Sequence, residues 1–239
     1  MHRLLLASIV LSVGAIADDA PEPIRQKLYL TSAAIFVLDE LAPMLPQQDN
    51  GVTDCYIVTA GNLDDNPHWI ADEITAIRDK ARAVKQIDLA RLRKDTLEAA
   101  FDQCAVIWVG GGNTFYLLQE VRRSGFDELV ARKIAAGTPY VGTSAGSIIL
   151  SPDIEPVKFA DDVAQAPDLG SFDGLGLFPF VPFAHFDNPE FKGVYQEILA
   201  YALENDVDFV TLKEKQFIAV DGDSWRVIDV RRDSRTNGW

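Results

Sequence analysis

The chain has 239 residues, 48% of them hydrophobic and 24% charged, with a formal net charge of −14. That length supports one sizeable core and is short for two. The acidic balance argues against a nucleic-acid-binding face and against long-range capture of polyanions.

The first segment, "MHRLLLASIVLSVGAIADDAPEP", has a short basic start and then an apolar stretch. Ala15, Ile16 and Ala17 follow, ahead of acidic and Pro-containing residues. This is the layout of a secretory signal with a small-residue cleavage site, and the stretch is too short for a comfortable membrane span. Residues 1–26 are therefore expected to be a signal peptide or N-terminal extension. The mature protein would then be exported to a periplasm or the cell exterior; a cytoplasmic location is the alternative. Residues 27–239 are expected to form one domain.

"KLYLTSA" (27–33) reads as a buried strand, followed by helical spacing in "FVLDELAPML" despite Pro43. "DCYIVTAG" (54–61) is a second strand. The next helix has Asn66 as N-cap, Pro67 at its first position and apolar residues at 69, 70, 74 and 77. "VKQIDL" (84–89) is a third strand. A short helix around "DTLEAAFDQ" leads to a fourth, "AVIWVGGG" (105–112). Two helices follow, closed by Gly125 and Gly137, then a fifth strand, "PYVG" (139–142). Alternating strands and helices predict right-handed crossovers and a parallel sheet covered on both faces. Residues 151–173 read as a long acidic loop, and a structureless loop of that length is usually functional. "GLGLFPFVPFAHF" suits short strand pieces, "NPEFKGVYQEILAYALEN" a helix, and the last segment three strands. Cys55 and Cys104, the two cysteines, each begin a strand without metal-type spacing, and they read as buried thiols.

Gly142-Thr143-Ser144-Ala145-Gly146 fits G-x-S-x-G, a strand-to-helix turn that lifts a serine clear of the sheet. A serine hydroxyl needs a base. Of three histidines, His2 lies in the candidate leader and His68 reads as a surface helix position. His185, between an apolar strand and a helix start, is the candidate base. The orienting carboxylate stays open at this point. The α/β-hydrolase order points to Asp153, Asp161, Asp162 or Asp173, whereas Glu214 sits between two late strands. The three glycines of "VIWVGGGNTFYLL" lack both the dinucleotide-binding and the P-loop pattern. They read better as half of an oxyanion hole, with N–H donors from Gly112 and Ala145.

"GGGNTFYLL", "YVGTSAGS", "FDGLGLFPFVPFAHFDN" and "TLKEKQFIAVDG" together, and in this order, resemble the peptidase E (aspartyl dipeptidase) and cyanophycinase family of serine peptidases. The similarity runs from about Lys27 to the last strands. It implies an α/β fold like that of class I glutamine amidotransferases: a flavodoxin-like three-layer sandwich with a mostly parallel sheet and helices on both faces. It also implies a Ser144–His185–Glu214 triad, oxyanion donors at Gly112 and Ala145, Asn113 close to substrate, and no metal or cofactor. The chain departs from the family pattern at Ala184, where Pro is frequent, at Lys215, where Gly is common, and throughout the 151–173 loop.

The expected function is thus a serine exopeptidase or dipeptidase acting on short peptides, with aspartyl substrates implied by the resemblance alone. Asp161, Asp162 or Asp187 would meet a free α-amino group, and Lys158 an acidic side chain. An α/β-hydrolase-type esterase or amidase, and a non-catalytic small-molecule binding module, are the alternatives. No nucleic-acid or membrane partner is expected for the mature form.

Overall fold

A computed structural model describes residues 26–49 and 51–230; the candidate leader lies outside the described residues. Strand β1 (Lys27–Thr31) is followed by one helical turn, α1 (Leu38–Leu41), flanked by 3₁₀ turns Ala34–Phe36 and Ala42–Met44. Pro43 is the reason: it cannot donate an intrahelical hydrogen bond, so the expected longer helix breaks up. The chain continues through β2 (Thr53–Ile57), α2 (His68–Asp79), β3 (Val84–Ile87), α3 (Lys94–Ala100) and β4 (Cys104–Val109). Then come α4 (Thr114–Ser124), α5 (Phe126–Ala135), β5 (Tyr140–Thr143) and α6 (Ala145–Ile148). Helix α2 starts one residue later than its Asn-Pro pair suggests, with Pro67 as N-cap and no side-chain cap.

The seven-stranded main sheet runs β3-β2-β4-β5-β1-β8-β9, where β8 is Gln216–Asp221 and β9 is Ser224–Asp229. The first five positions pair in parallel, and β8 and β9 add an antiparallel hairpin beside β1. The three late strands do not stay together. β7 (Phe209–Thr211) leaves the main sheet and pairs in parallel with β6 (Val181–Phe183), against α7 (Lys192–Glu204).

Side chains alternate across the pleat as a doubly covered sheet requires. Leu28, Leu30, Ile57, Ile107 and Val109 pack under the layer that includes α4 and α5. Tyr29, Tyr56, Val106 and Trp108 face the α1 and α2 side, where Ile70, Ile74 and Ile77 meet them. The 151–173 segment is more ordered than a bare loop. It holds two 3₁₀ turns, Glu155–Phe159 and Val163–Gln165, and Asp153 bridges Asp173. Ile154, Val157 and Ala166 anchor it in the core. Among the described residues no helix is long and apolar enough to cross a membrane.

The expectation of free buried thiols is corrected. Cys55 on β2 and Cys104 on β4 form a disulfide, with Cα atoms 5.5 Å apart. The register of these strands shifts between Thr53 and Cys55, which sets the two side chains alongside. The bridge closes a loop of 49 residues, for which the chain-entropy model gives about 4 kcal/mol of stabilisation. Urea unfolding of Cys55→Ser/Cys104→Ser is expected to show most of that loss; an unchanged midpoint would show that the bridge adds no stability.

Candidate active site

The carboxyl ends of β4, β5 and β1 are neighbours, because β5 lies between the other two. Open parallel sheets bind ligands at this edge, where the direction of chain progression reverses. Three loops therefore meet: Gly110–Gly112 after β4, Ser144 after β5, and Ser32 after β1.

Ser144 has φ 50° and ψ −112°, a conformation rarely tolerated by a residue with a side chain. Its surroundings hold it there. Ser144 N–H donates to Thr31 O at 3.0 Å. Ser147 Oγ lies within hydrogen-bond distance of both Thr31 O and Gly142 O, at 2.9 and 2.8 Å, and its one hydrogen is shared between them. The flanking glycines are required by space. A Cβ on Gly142 would lie 2.6 Å from Gly146 O, and one on Gly146 only 2.0 Å from Val109 O. The turn thus packs α6 directly onto two strands and leaves the serine side chain at the sheet edge.

His185 follows β6 and also has a left-handed backbone, φ 63°. Its N–H donates to Ser32 Oγ at 3.0 Å, and Ser32 Oγ donates to Leu212 O at 2.9 Å. Phe191 stacks on the imidazole at 4.8 Å between ring centroids. Held from both sides, the ring places Nε2 3.0 Å from Ser144 Oγ and Nδ1 2.9 Å from Glu214 Oε1. Glu214 is fixed in turn by Asn188, whose amide donates to Oε1 at 3.0 Å, and by its own N–H, which donates to Asp187 Oδ1 at 2.8 Å. Burial pushes the Glu214 carboxyl up, but the hydrogen bond and charge of His185 and the Asn188 amide outweigh it, so it titrates below the ordinary glutamate range. Serine, imidazole and carboxylate lie in one line, the arrangement that moves a proton off a serine hydroxyl.

The glycine loop abuts the serine. A Cβ on Gly111 would lie 3.2 Å from Ser144 Cβ, so Gly111, which sequence reasoning did not single out, sets how closely the loop approaches. Gly112 has φ 140°, and a Cβ there would meet Ala60 O at 2.1 Å. Among the described residues, neither the Gly112 N–H nor the Ala145 N–H donates to a backbone carbonyl.

A cleft opens beside Ser144 and His185, and of the expected substrate residues only Asp161 lines it. Its Oδ2 accepts the Thr114 N–H at 2.8 Å. Burial pushes the Asp161 carboxyl up; the Thr114 bonds and the charge of His185 pull it back. The other four do not line this cleft, and their side chains have partners within the protein. Asn113 caps α4 by accepting the Tyr116 N–H, and its amide donates to Asp162 O and Gln165 Oε1. It clamps the 161–165 loop to the helix. Asp162 caps the 3₁₀ turn that follows it, Asp187 supports the Glu214 backbone, and Lys158 pairs with Glu155 at 2.8 Å. Of the acids in the α/β-hydrolase order, none takes the imidazole; Glu214 does.

Glu73, on α2, is a buried acid that the sequence reading passed over. Its Oε1 accepts from Thr143 Oγ1 at 2.8 Å and from Tyr56 Oη at 3.0 Å, so it braces the residue preceding Ser144. Burial pushes its carboxyl up to about 7, against the hydroxyls of Thr143 and Tyr56 and the N–H groups of Ala34 and Ile35. A folded-state value above the ordinary 4.5 means that the folded protein keeps a proton the unfolded chain has released. This group's contribution to stability is therefore undiminished below about pH 4.5 and declines as pH rises to about 7. Glu73→Gln turns an amide nitrogen toward donors, and a cost of about 1–3 kcal/mol is expected. Its unfolding midpoint should also vary less between about pH 5 and 8 than that of wild type. Equal stability and an equal pH slope would show that the brace is energetically idle.

Several known proteins are similar to this chain in sequence or structure. An uncharacterized peptidase of Listeria innocua is 33% identical over 178 residues, 73% of this chain and 83% of that one. Peptidase E of Streptomyces coelicolor is 33% identical over 143 residues, 57% of each chain. A 1.5 Å crystal structure of a candidate peptidase E from Listeria monocytogenes superposes with TM-score 0.80 at 28% identity, covering 87% of this chain and all of that one. The model of peptidase family S51 matches residues 31–228, a span that takes in the serine turn, the glycine loop, His185 and Glu214. The chain belongs to peptidase family S51 and is a serine peptidase.

Proposed function

We propose that the protein is an exopeptidase of short peptides, dipeptides included, in which Ser144 is the nucleophile, His185 the general base and Glu214 the orienting acid. The observation that carries this reading is the line of contacts Ser144 Oγ–His185 Nε2 and His185 Nδ1–Glu214 Oε1, at 3.0 and 2.9 Å. Ser144 Oγ bonds to the scissile carbonyl carbon while its proton passes to His185 Nε2. The carbonyl oxygen becomes an oxyanion, received by the Gly112 and Ala145 N–H groups. The C–N bond then breaks, and His185 gives its proton to the leaving amine. Water repeats the sequence on the acyl-serine: His185 takes its proton, the acid leaves and Ser144 regains its hydrogen. Glu214 stabilises the imidazolium in both halves.

Exopeptidases must recognise a chain end. Asp161, the carboxylate that lines the cleft, is the group assigned here to a free α-amino terminus. No observation favours the esterase or binding-module alternatives. We also propose export of the mature protein, since a disulfide such as Cys55–Cys104 persists in oxidising compartments and the leader has signal layout. Incubation with a panel of dipeptides is the test of activity. Release of both amino acids by wild type, and none by Ser144→Ala, is expected; equal release by both would defeat the assignment.

A further inference from the structure

We propose that the cleft beside Ser144 selects peptides whose N-terminal residue is small to medium, apolar and free at its α-amino group, and that it rejects N-terminal aspartate. This rests on the reading of Ser144 as nucleophile and goes beyond it to the substrate class.

The walls of the cleft are apolar. Ile148, Val157, Phe183, Val194, Tyr195 and Ile198 reach it from α6, the 3₁₀ turn after it, β6 and α7. Apart from His185, the one charged side chain lining it is Asp161, and no Lys or Arg among the described residues does so. An acidic substrate side chain needs a cation. Lys158, the residue the sequence offered for that task, is turned away: Nζ bonds Glu155 Oε1 at 2.8 Å and sits 4.2 Å from the centre of the Tyr201 ring. A carboxylate entering the cleft would meet apolar walls and the like charge of Asp161, both unfavourable.

An α-ammonium group fits the same place. Beside Asp161 stands Thr114, a residue 1% exposed whose buried hydroxyl has no hydrogen-bond partner within geometric limits among the described residues. The hydroxyl neighbours the Asp161 carboxyl, and its oxygen is left to accept from a third group. An ammonium with three hydrogens satisfies both oxygens. The cavity is small, ≈ 40 Å³, which suits an aliphatic side chain better than an aromatic ring.

The test measures kcat/KM on Xaa-Leu dipeptides with alanine, valine, leucine, aspartate or lysine first, and on N-acetyl-Ala-Leu. In parallel, a serine-directed fluorophosphonate is mapped by peptide mass. At least about 10-fold preference for an apolar first residue over aspartate is expected, with N-acetylation lowering kcat/KM by about 100-fold or more. Asp161→Asn should raise KM for Ala-Leu and narrow the gap to the acetylated peptide, while Ser144 stays phosphonylated. Aspartate or lysine matching or exceeding the apolar residues, or an acetylated peptide cleaved as well as a free one, overturns the selectivity. If Ser144 is labelled in either case, or is labelled while no peptide is cut, the nucleophile assignment survives and the selectivity alone falls. If Ser144 is not labelled and nothing is cut, both fall.

Discussion

Ser144→Ala is expected to lower kcat by about 10⁵- to 10⁶-fold, the loss seen when a triad nucleophile is removed. The prediction follows from how little else in the site can replace the hydroxyl. Among the described residues, Ser144 Oγ alone meets His185 Nε2. The substitution should leave the fold intact. Alanine keeps the Cβ, the turn is held by the Ser144 N–H to Thr31 O bond and by Ser147, and among the described residues Ser144 Oγ has no hydrogen-bond partner other than the imidazole. Unfolding midpoints within about 0.5 kcal/mol of wild type should accompany the kinetic loss. A variant that retains a tenth of the activity would mean that the serine turn is not the reacting group.

Glu214→Gln is expected to cost up to about 10⁴-fold in kcat, with a smaller change in KM. The carboxylate accepts from His185 and Asn188 at one oxygen. A glutamine can keep the geometry through its carbonyl but carries no charge to balance the imidazolium formed during proton transfer. The same variant separates the two arrangements that the sequence left open. Full activity in Glu214→Gln, with loss in a variant of Asp153, Asp162 or Asp173, would restore the α/β-hydrolase order. Glu214 also links to stability. Its folded-state value is depressed, so its contribution is present above the ordinary glutamate range and disappears as pH falls through the folded value. Glu214→Gln should therefore lose less stability on acidification than wild type does.

The parts of the site that the sequence reveals are those in which one steric or chemical requirement fixes the residue type. The serine turn is legible because only glycine fits at 142 and 146, where a Cβ would strike backbone. His185 is legible by scarcity, since His68 lies on an exposed helix start and His2 in the candidate leader, outside the described residues. Four of the five parallel strands are legible because they are mostly buried on both faces, and β3, an edge strand with Lys85 and Gln86 exposed, because it too is followed by a helical period. The fourth strand reads three residues too long because its glycines continue an apolar run yet leave the sheet to reach Ser144. Glu214 was one acid among several because its partner is 29 residues away, and neither period nor motif encodes that approach. The disulfide was hidden for a similar reason: β2 pairs with β4 as well as with β3, and a register shift aligns the cysteines. Asn113, Lys158, Asp162 and Asp187 look like substrate groups in the sequence, and the fold also gives them partners as caps, clamps or ion pairs. Short polar side chains in turns tend to bond the nearby backbone. Glu73 did carry a signal. It falls on the stripe Ile70, Ile74, Ile77 at helical spacing, and an acid on an apolar face needs buried partners.

The central claim is that His185 activates the Ser144 hydroxyl, and the most direct measurement is the rate at which a fluorophosphonate modifies Ser144. Followed by intact mass in wild type and in His185→Ala, the second-order rate constant should fall by at least about 10³-fold in the variant. Equal rates in the two proteins, or a phosphonyl group mapped to a different residue in wild type, would contradict the account.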